Sequence, residues 1–285
     1  MGLPSATLLA QSALSGLFVG ALYGLLGLGL SLSWGLLRQI NLAHFALAFL
    51  AAYLCYQLSS VGGMDPLLTL VVIVPAFFAI GVATQWLLAR FEISAFNSLL
   101  VTFGLTVIIE SLIQSVWTAD FRRLESVYGN LRFKMGPLFV PVPELLTLLA
   151  AVALSLGLWA ALRYTDLGKA LRAAAEDGGI AQAFGVNRAL LGLLLSGVSA
   201  ALAAVGGVCL ALSYTLAPAQ IYAWVGVVFA AVMMGGLGRA LGPLLAGIVI
   251  GISEAVTMAI TAPSWAPLVS FSLLLLVLLV RPGKV

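Results

Sequence analysis

Nine long apolar runs, separated by short polar connections, leave this chain few ways to fold. They cover residues 7–37, 41–58, 67–88, 94–116, 145–162, 189–212, 221–237, 241–260 and 264–280, each with one formal charge or none. A helix crosses the hydrocarbon core of a bilayer with about 20 apolar residues. Charged residues make up only 8% of the chain, against roughly 25% in soluble domains, so a water-facing surface cannot be covered. The pattern predicts an all-α polytopic membrane protein, a single transmembrane domain over 1–285, with about eight to ten spans. Outer-membrane barrels are excluded, because their strands alternate over about ten residues and these runs are unbroken. The first run exceeds one upright span, which predicts a tilt, a break or an interfacial turn. The seventh and ninth are short enough to be half-helices.

The net charge of +3 and the pI near 9.0 say little about nucleic acid, and none is expected as a partner. In a membrane protein the placement of Lys and Arg carries the information. After odd-numbered runs come Arg38, Arg90, Arg163, Lys169, Arg172, Arg188, Arg239, Arg281 and Lys284. After even-numbered runs the only basic residues are Arg122, Arg123, Arg132 and Lys134, all in one loop. The first side is therefore expected in the cytoplasm, with the N-terminus outside and the C-terminus inside. The N-terminal stretch lacks a basic region before its apolar run and reads as a retained span. Cys55 and Cys209 fall in apolar runs and suggest neither a disulfide framework nor a metal site.

Two loops are long enough to fold. The outer one, 118–144, mixes charges, aromatics and prolines, and suits a cover over a pore or contact with an external partner. The inner one, 163–188, reads as two short helices. Thr165 or Asp166 caps the first, Gly178–Gly179 breaks it, Gly185 ends the second, and Asn187 caps the next span. Within the runs, Gly16, Gly20 and Gly24 form a tandem GxxxG, and Gly247 with Gly251 forms another, the spacing that lets helices approach closely in lipid. Gly235, Gly236, Gly238 and Gly242, followed by Pro243, allow a hinge or re-entrant turn near the inner surface.

Polar groups inside a membrane face the bundle interior or water, because an unpaired charge at mid-bilayer costs about 3 kcal/mol or more. Four stand out: Asn41 and His44 (the only histidine) in INLAHFALAFLAAY, residues 40–53, Glu110 in the fourth run, and Glu254 in the eighth. They either line a polar path and its gate or fix packing by hydrogen bonding. Asn41 can cap the helix that follows, which would set His44 just inside the inner surface. Enzyme chemistry finds little footing. One histidine offers a single possible base, Gly251–Glu254 is not a nucleophile elbow, and no GxxxxGK[ST] phosphate loop is present.

Three stretches together resemble the permease of bacterial branched-chain-amino-acid-type (hydrophobic amino acid uptake) ABC importers. They are ALYGLLGLGLSLSWGLLRQINLAHFALAFLAAY at 21–53, LGKALRAAAEDGGIAQAFGVN at 167–187 and MGGLGRALGPLLAGIVIGISEA at 234–255, with the ending at 281–283. The resemblance implies a bundle of the binding-protein-dependent (BPD) importer type in the bacterial inner membrane. It also implies a second homologous permease subunit, most often a different chain, two cytoplasmic ATPase subunits that use ATP and Mg, and an external solute-binding protein. No cofactor is implied for this chain itself. The inner loop becomes the ATPase-coupling segment, through Leu167, Gly168, Ala170, Leu171, Ala174, Glu176, Ala181, Phe184 and Gly185. The face formed by Leu167, Ala170, Leu171 and Ala174 is the expected plug for a partner's groove.

Phe45 and Ala46 depart from the pattern, in which a Gly and then an acidic residue commonly follow the histidine. They mark the expected place of substrate preference. Relatives of this kind move branched-chain amino acids, urea, short amides or organic acids. The alternatives are a stand-alone channel for a small neutral solute such as urea and, further off, an intramembrane hydrolase built on His44.

Overall fold

The structure is a computed structural model that describes residues 5–91 and 93–280. Its fold is all-α and polytopic, as the apolar runs require, and nine helices among the described residues are long and apolar enough to span a membrane. The chain runs α1 (Ala6–Leu37), α2 (Ala43–Tyr56, continued by a π turn Gln57–Val61), α3 (Thr69–Arg90) and α4 (Ala95–Trp117). A loop with the hairpin β1 (Arg132–Met135) and β2 (Leu138–Pro141) leads to α5 (Val142–Tyr164). Two short helices, α6 (Asp166–Glu176) and α7 (Gly178–Ala183), precede α8 (Arg188–Ser213), α9 (Ile221–Gly235), α10 (Gly242–Ile260) and α11 (Ala266–Val280). The ending at 281–283, together with Arg281 and Lys284, lies outside the described residues.

The first run resolves as one continuous helix. At 32 residues it is about 48 Å long, well beyond a hydrocarbon core of about 30 Å, so it tilts or projects and does not break. The seventh and ninth runs are not half-helices. With the short 3-10 turns that lead into α9 and α11, each reaches 18 residues and qualifies as a span.

Helix α1 is the central element, and the glycines explain why. A Cβ added to Gly16 would collide with the Gly251 carbonyl, and one on Gly20 with the Gly247 carbonyl. The reverse additions at Gly247 and Gly251 strike the Gly20 and Gly16 carbonyls. The two GxxxG motifs are therefore halves of one seam, with α1 and α10 in backbone contact. On its other faces α1 meets α5, α8 and α9, which buries it from Gly16 to Ser33 nearly without interruption. Hydroxyls finish the packing: Ser196 donates to the Gly81 carbonyl (3.0 Å) and Ser199 to the Gly29 carbonyl (2.8 Å), tying α8 to α3 and to α1.

The glycine-rich stretch at 235–242 is a compact turn between α9 and α10. Gly236 and Gly238 take the left-handed φ values of 89° and 72°, which a side chain disfavours. Gly238 N–H donates to the Ser31 carbonyl at 3.0 Å, so the turn is fastened to α1. Gly20→Val should lower stability by about 1–3 kcal/mol or more through overpacking. Gly104, on an open face of α4 with no atom within 4 Å of an added Cβ, should accept Ala with no loss. Thermal unfolding of the two purified variants in detergent checks the contrast.

Candidate functional site

His44 is the second residue of α2 and is 1% exposed. Its Nε2 lies 2.8 Å from the Leu26 carbonyl of α1; a carbonyl only accepts, so that nitrogen carries the proton. Gly29 makes room for the ring, since a Cβ there would stand 2.6 Å from His44 Cε1. Leu26 is eleven residues from the end of α1, and Ser199, which bonds Gly29, is eleven from the start of α8. The imidazole is thus about 16 Å below the helix ends, deeper than its place in the sequence suggests. It is one corner of a three-helix junction, not a surface group. Phe45 stacks on Phe229 with centroids 6.1 Å apart, and Ala46 is fully buried. Both residues are therefore packed into the core of this chain.

Asn41 does not cap α2. The helix starts at Ala43 with Leu42 as its N-cap, which leaves the amide one residue too early. The Leu42 N–H instead donates to Thr102 Oγ1 of α4 at 3.2 Å. Asn41 Oδ1 is buried without a hydrogen-bond partner, on a non-helical segment set against α4. Further along α4, Glu110 Oε2 accepts from Tyr222 of α9 at 2.7 Å and Oε1 from Gln114 at 3.2 Å. Around them Phe103, Val107, Ser111 and Gln114 form an exposed face. The polar part of that face, Glu110, Ser111 and Gln114, is poorly matched to lipid.

Glu254 belongs to a different place. It is 7% exposed, between α1, α10 and α11. Tyr23 donates to Oε2 at 3.0 Å, and Ser270 donates to Oε1. Both carboxylate oxygens are thereby occupied, and Tyr23 continues edge-on to Trp224 (5.8 Å) and from there to Tyr214 (5.4 Å). The four polar residues do not converge. Asn41 and Glu110 lie along α4, whereas His44 and Glu254 seal separate junctions.

The loop at 163–188 folds as its capping residues require. Thr165 Oγ1 accepts from Gly168 N, Asp177 Oδ1 from Gly179 N and Ile180 N, and Asn187 Oδ1 from Leu190 N. Gly178–Gly179 start the second helix where a simple break was expected, because Asp177 caps them. Lys169 holds the Asp166 carboxyl below the usual carboxylate range through a 2.9 Å ion pair in solvent. Arg38, in the left-handed C-cap of α1, donates to the Ala175 carbonyl at 3.0 Å, and the Arg188 guanidinium lies against Gly178.

Three of the four residues of the expected plug, Ala170, Leu171 and Ala174, face the chain's own helices, and Leu167 stays exposed. Leu171 and Ala181 are buried, Gly168 packs on the last turn of α5, and Ala170 and Ala174 lean on the cluster around Leu28, Leu32 and Leu195. An apolar face beside the chain's own helices is consumed by them first. What the loop offers outward is Leu167, Ile180 and above all Phe184, at 86% exposed, together with Glu176 and Gly185. Of these, Ile180 is the residue the sequence reading missed.

Residues 12–278 match the family described as branched-chain amino acid transport system / permease component. The chain belongs to this family. It is 27% identical over 292 residues to the high-affinity branched-chain amino acid transport system permease protein LivH of Escherichia coli (strain K12), covering 95% of this chain and 93% of that one. Identity to BraD of Pseudomonas aeruginosa is 27% over 291 residues, 95% and 94% of the two chains. The probable branched-chain amino acid transport permease protein LivH of Methanocaldococcus jannaschii is 31% identical over 245 residues, 81% and 75%. A solved structure, PsaBC from Streptococcus pneumoniae in complex with Fab, overlays 95% of this chain and 91% of that chain at a TM-score of 0.45 and 16% identity. Family membership and the nine apolar helices together make this a multi-pass membrane permease.

His44→Leu should lower stability by about 1–3 kcal/mol by removing the donor to Leu26. Asn41→Ala, which breaks no bond, should leave stability unchanged. Chemical unfolding of both variants in one detergent compares them.

Proposed function

We propose that this chain is the permease subunit of an ABC importer that carries a branched-chain amino acid inward. The match along residues 12–278 to a permease family is the observation that carries the reading, and the names borne by its relatives supply the solute. In this scheme the solute arrives from an external binding protein. It passes between this chain and a second permease, along the exposed α4 face that holds Glu110, with Asn41 near the start of that helix. His44 and Glu254 act on the path indirectly, by holding α2 and α10 in place. Gly235, Gly236 and Gly238 give the α9–α10 turn its freedom to adjust.

Two ATPase subunits using ATP and Mg supply the energy, and they grip Leu167, Ile180 and Phe184. Arg38 and Arg188 pass displacement of that loop to α1 and α8, and α1 passes it to α10. The positive-inside pattern supports an inner face at the end that carries Arg38, Arg90, Arg163 and Arg239, with the N-terminus outside and the C-terminus in the cytoplasm.

Isolation from the native host should bring down two ATPases and a second permease, and reconstituted vesicles should take up leucine only with ATP and binding protein. Passive leucine or urea flux through the isolated chain would replace the importer with a channel. Phe184→Asp should abolish ATP-driven uptake with an unchanged melting temperature, whereas Leu171→Asp should unfold the loop. Glu110→Leu should slow uptake about tenfold, the weight of one hydrogen bond. Wild-type uptake by the Phe184 variant removes the docking role.

A further inference from the structure

One large groove has no ligand in this scheme. It encloses about 860 Å³ at the basic end, between α5, α6 and the α9–α10 turn. Three guanidinium groups line it from three separate elements: Arg163 at the end of α5, Arg172 on α6 and Arg239 in the glycine-rich turn. Among the described residues none of the three has a carboxylate partner; the ion pair found there joins Lys169 to Asp166. Arg163 lies over the rings of Trp159 (5.3 Å) and Tyr164 (5.7 Å), which orient it without neutralising it. Three like charges on one groove repel one another, and an anion removes that cost.

The groove changes character with depth. Trp159 lies one turn inward from Arg163, where an indole suits the membrane interface. On the α10 wall Leu245 and Val249, four residues apart on one face, are 63% and 50% exposed. Cations, then an interfacial indole, then an open apolar wall is the sequence of surfaces that a phospholipid meets from headgroup to acyl chain. A soluble anion or an acidic peptide would satisfy the arginines and leave Leu245 and Val249 uncovered. Basic pockets between spanning helices on the cytoplasmic side are a recognised means of holding anionic headgroups.

We infer that this groove binds one anionic phospholipid of the inner leaflet, its phosphate held by Arg163, Arg172 and Arg239. The lipid then bridges α6, which carries the coupling loop, and the turn that leads into α10.

Native mass spectrometry of the protein with whatever subunits it carries from its host membrane, titrated with phosphatidylglycerol and with phosphatidylcholine of the same acyl chains, tests this directly. One phosphatidylglycerol should be retained about ten- to hundredfold more tightly than phosphatidylcholine, each surface arginine contributing to the preference. Arg163→Gln, Arg172→Gln and Arg239→Gln combined should bring the two lipids level, with an unchanged melting temperature in lipid-free detergent. Should the triple variant not fold, Arg239→Gln alone should reduce the preference several-fold. Equal retention of both lipids by the wild type overturns the inference. Displacement of phosphatidylglycerol by millimolar inorganic phosphate overturns it in favour of a soluble anion. Chemical cross-linking of the groove to acidic residues of an ATPase subunit overturns it in favour of a protein occupant. Lipid retention is read without transport, so failure of the importer scheme and failure of this site are separable.

Discussion

Backbone contact between α1 and α10 is the constraint on which the rest of the molecule hangs. Lipid tails are as apolar as leucine, so burial gives helices little reason to associate inside a membrane, and close packing must supply it. Gly16, Gly20, Gly247 and Gly251 remove the side chains that would separate the two axes. Bringing α1 so close to one neighbour leaves its other faces for α5, α8 and α9, and it becomes the axis of the bundle.

Elsewhere in the core, side-chain donors reach backbone carbonyls of neighbouring helices. Ser199 reaches the Gly29 carbonyl, Ser196 reaches Gly81, and His44 reaches Leu26. Each bond fixes the rotation and the depth of a helix that apolar packing alone would let slide. A histidine is well suited to the deepest of these positions. Its ring spans the gap between helices, and one N–H satisfies the carbonyl it meets without a buried charge.

Because α1 is long and continuous, it also joins the two ends. At one end Arg38 holds the C-terminus of α6 and Ser31 holds the glycine turn. Toward the other, Tyr23 meets Glu254, and Gln11 exchanges hydrogen bonds with Phe139 of the hairpin. A displacement applied to the 163–188 loop would therefore bear on a helix that touches both the α9–α10 turn and the 132–141 hairpin.

Much of this could be read from the residues, because some features are set by local chemistry. Apolar run lengths determined the spans, Thr165 and Asn187 determined two helix starts, and Gly spacing determined that helices would meet closely. Pairing is a different matter. Nothing local states that Gly16 meets Gly251, 235 residues away, or that α2 starts one residue past the reach of Asn41. The apolar face of α6 was legible as a face, but whether it served a partner or its own bundle depended on which surface lay nearest, and α1 and α5 lay nearest. Sequence by itself determined what each segment must be in a membrane; only the tertiary structure decided which polar groups are sealed and which stay open, because that depends on helices far apart in the chain approaching to backbone distance.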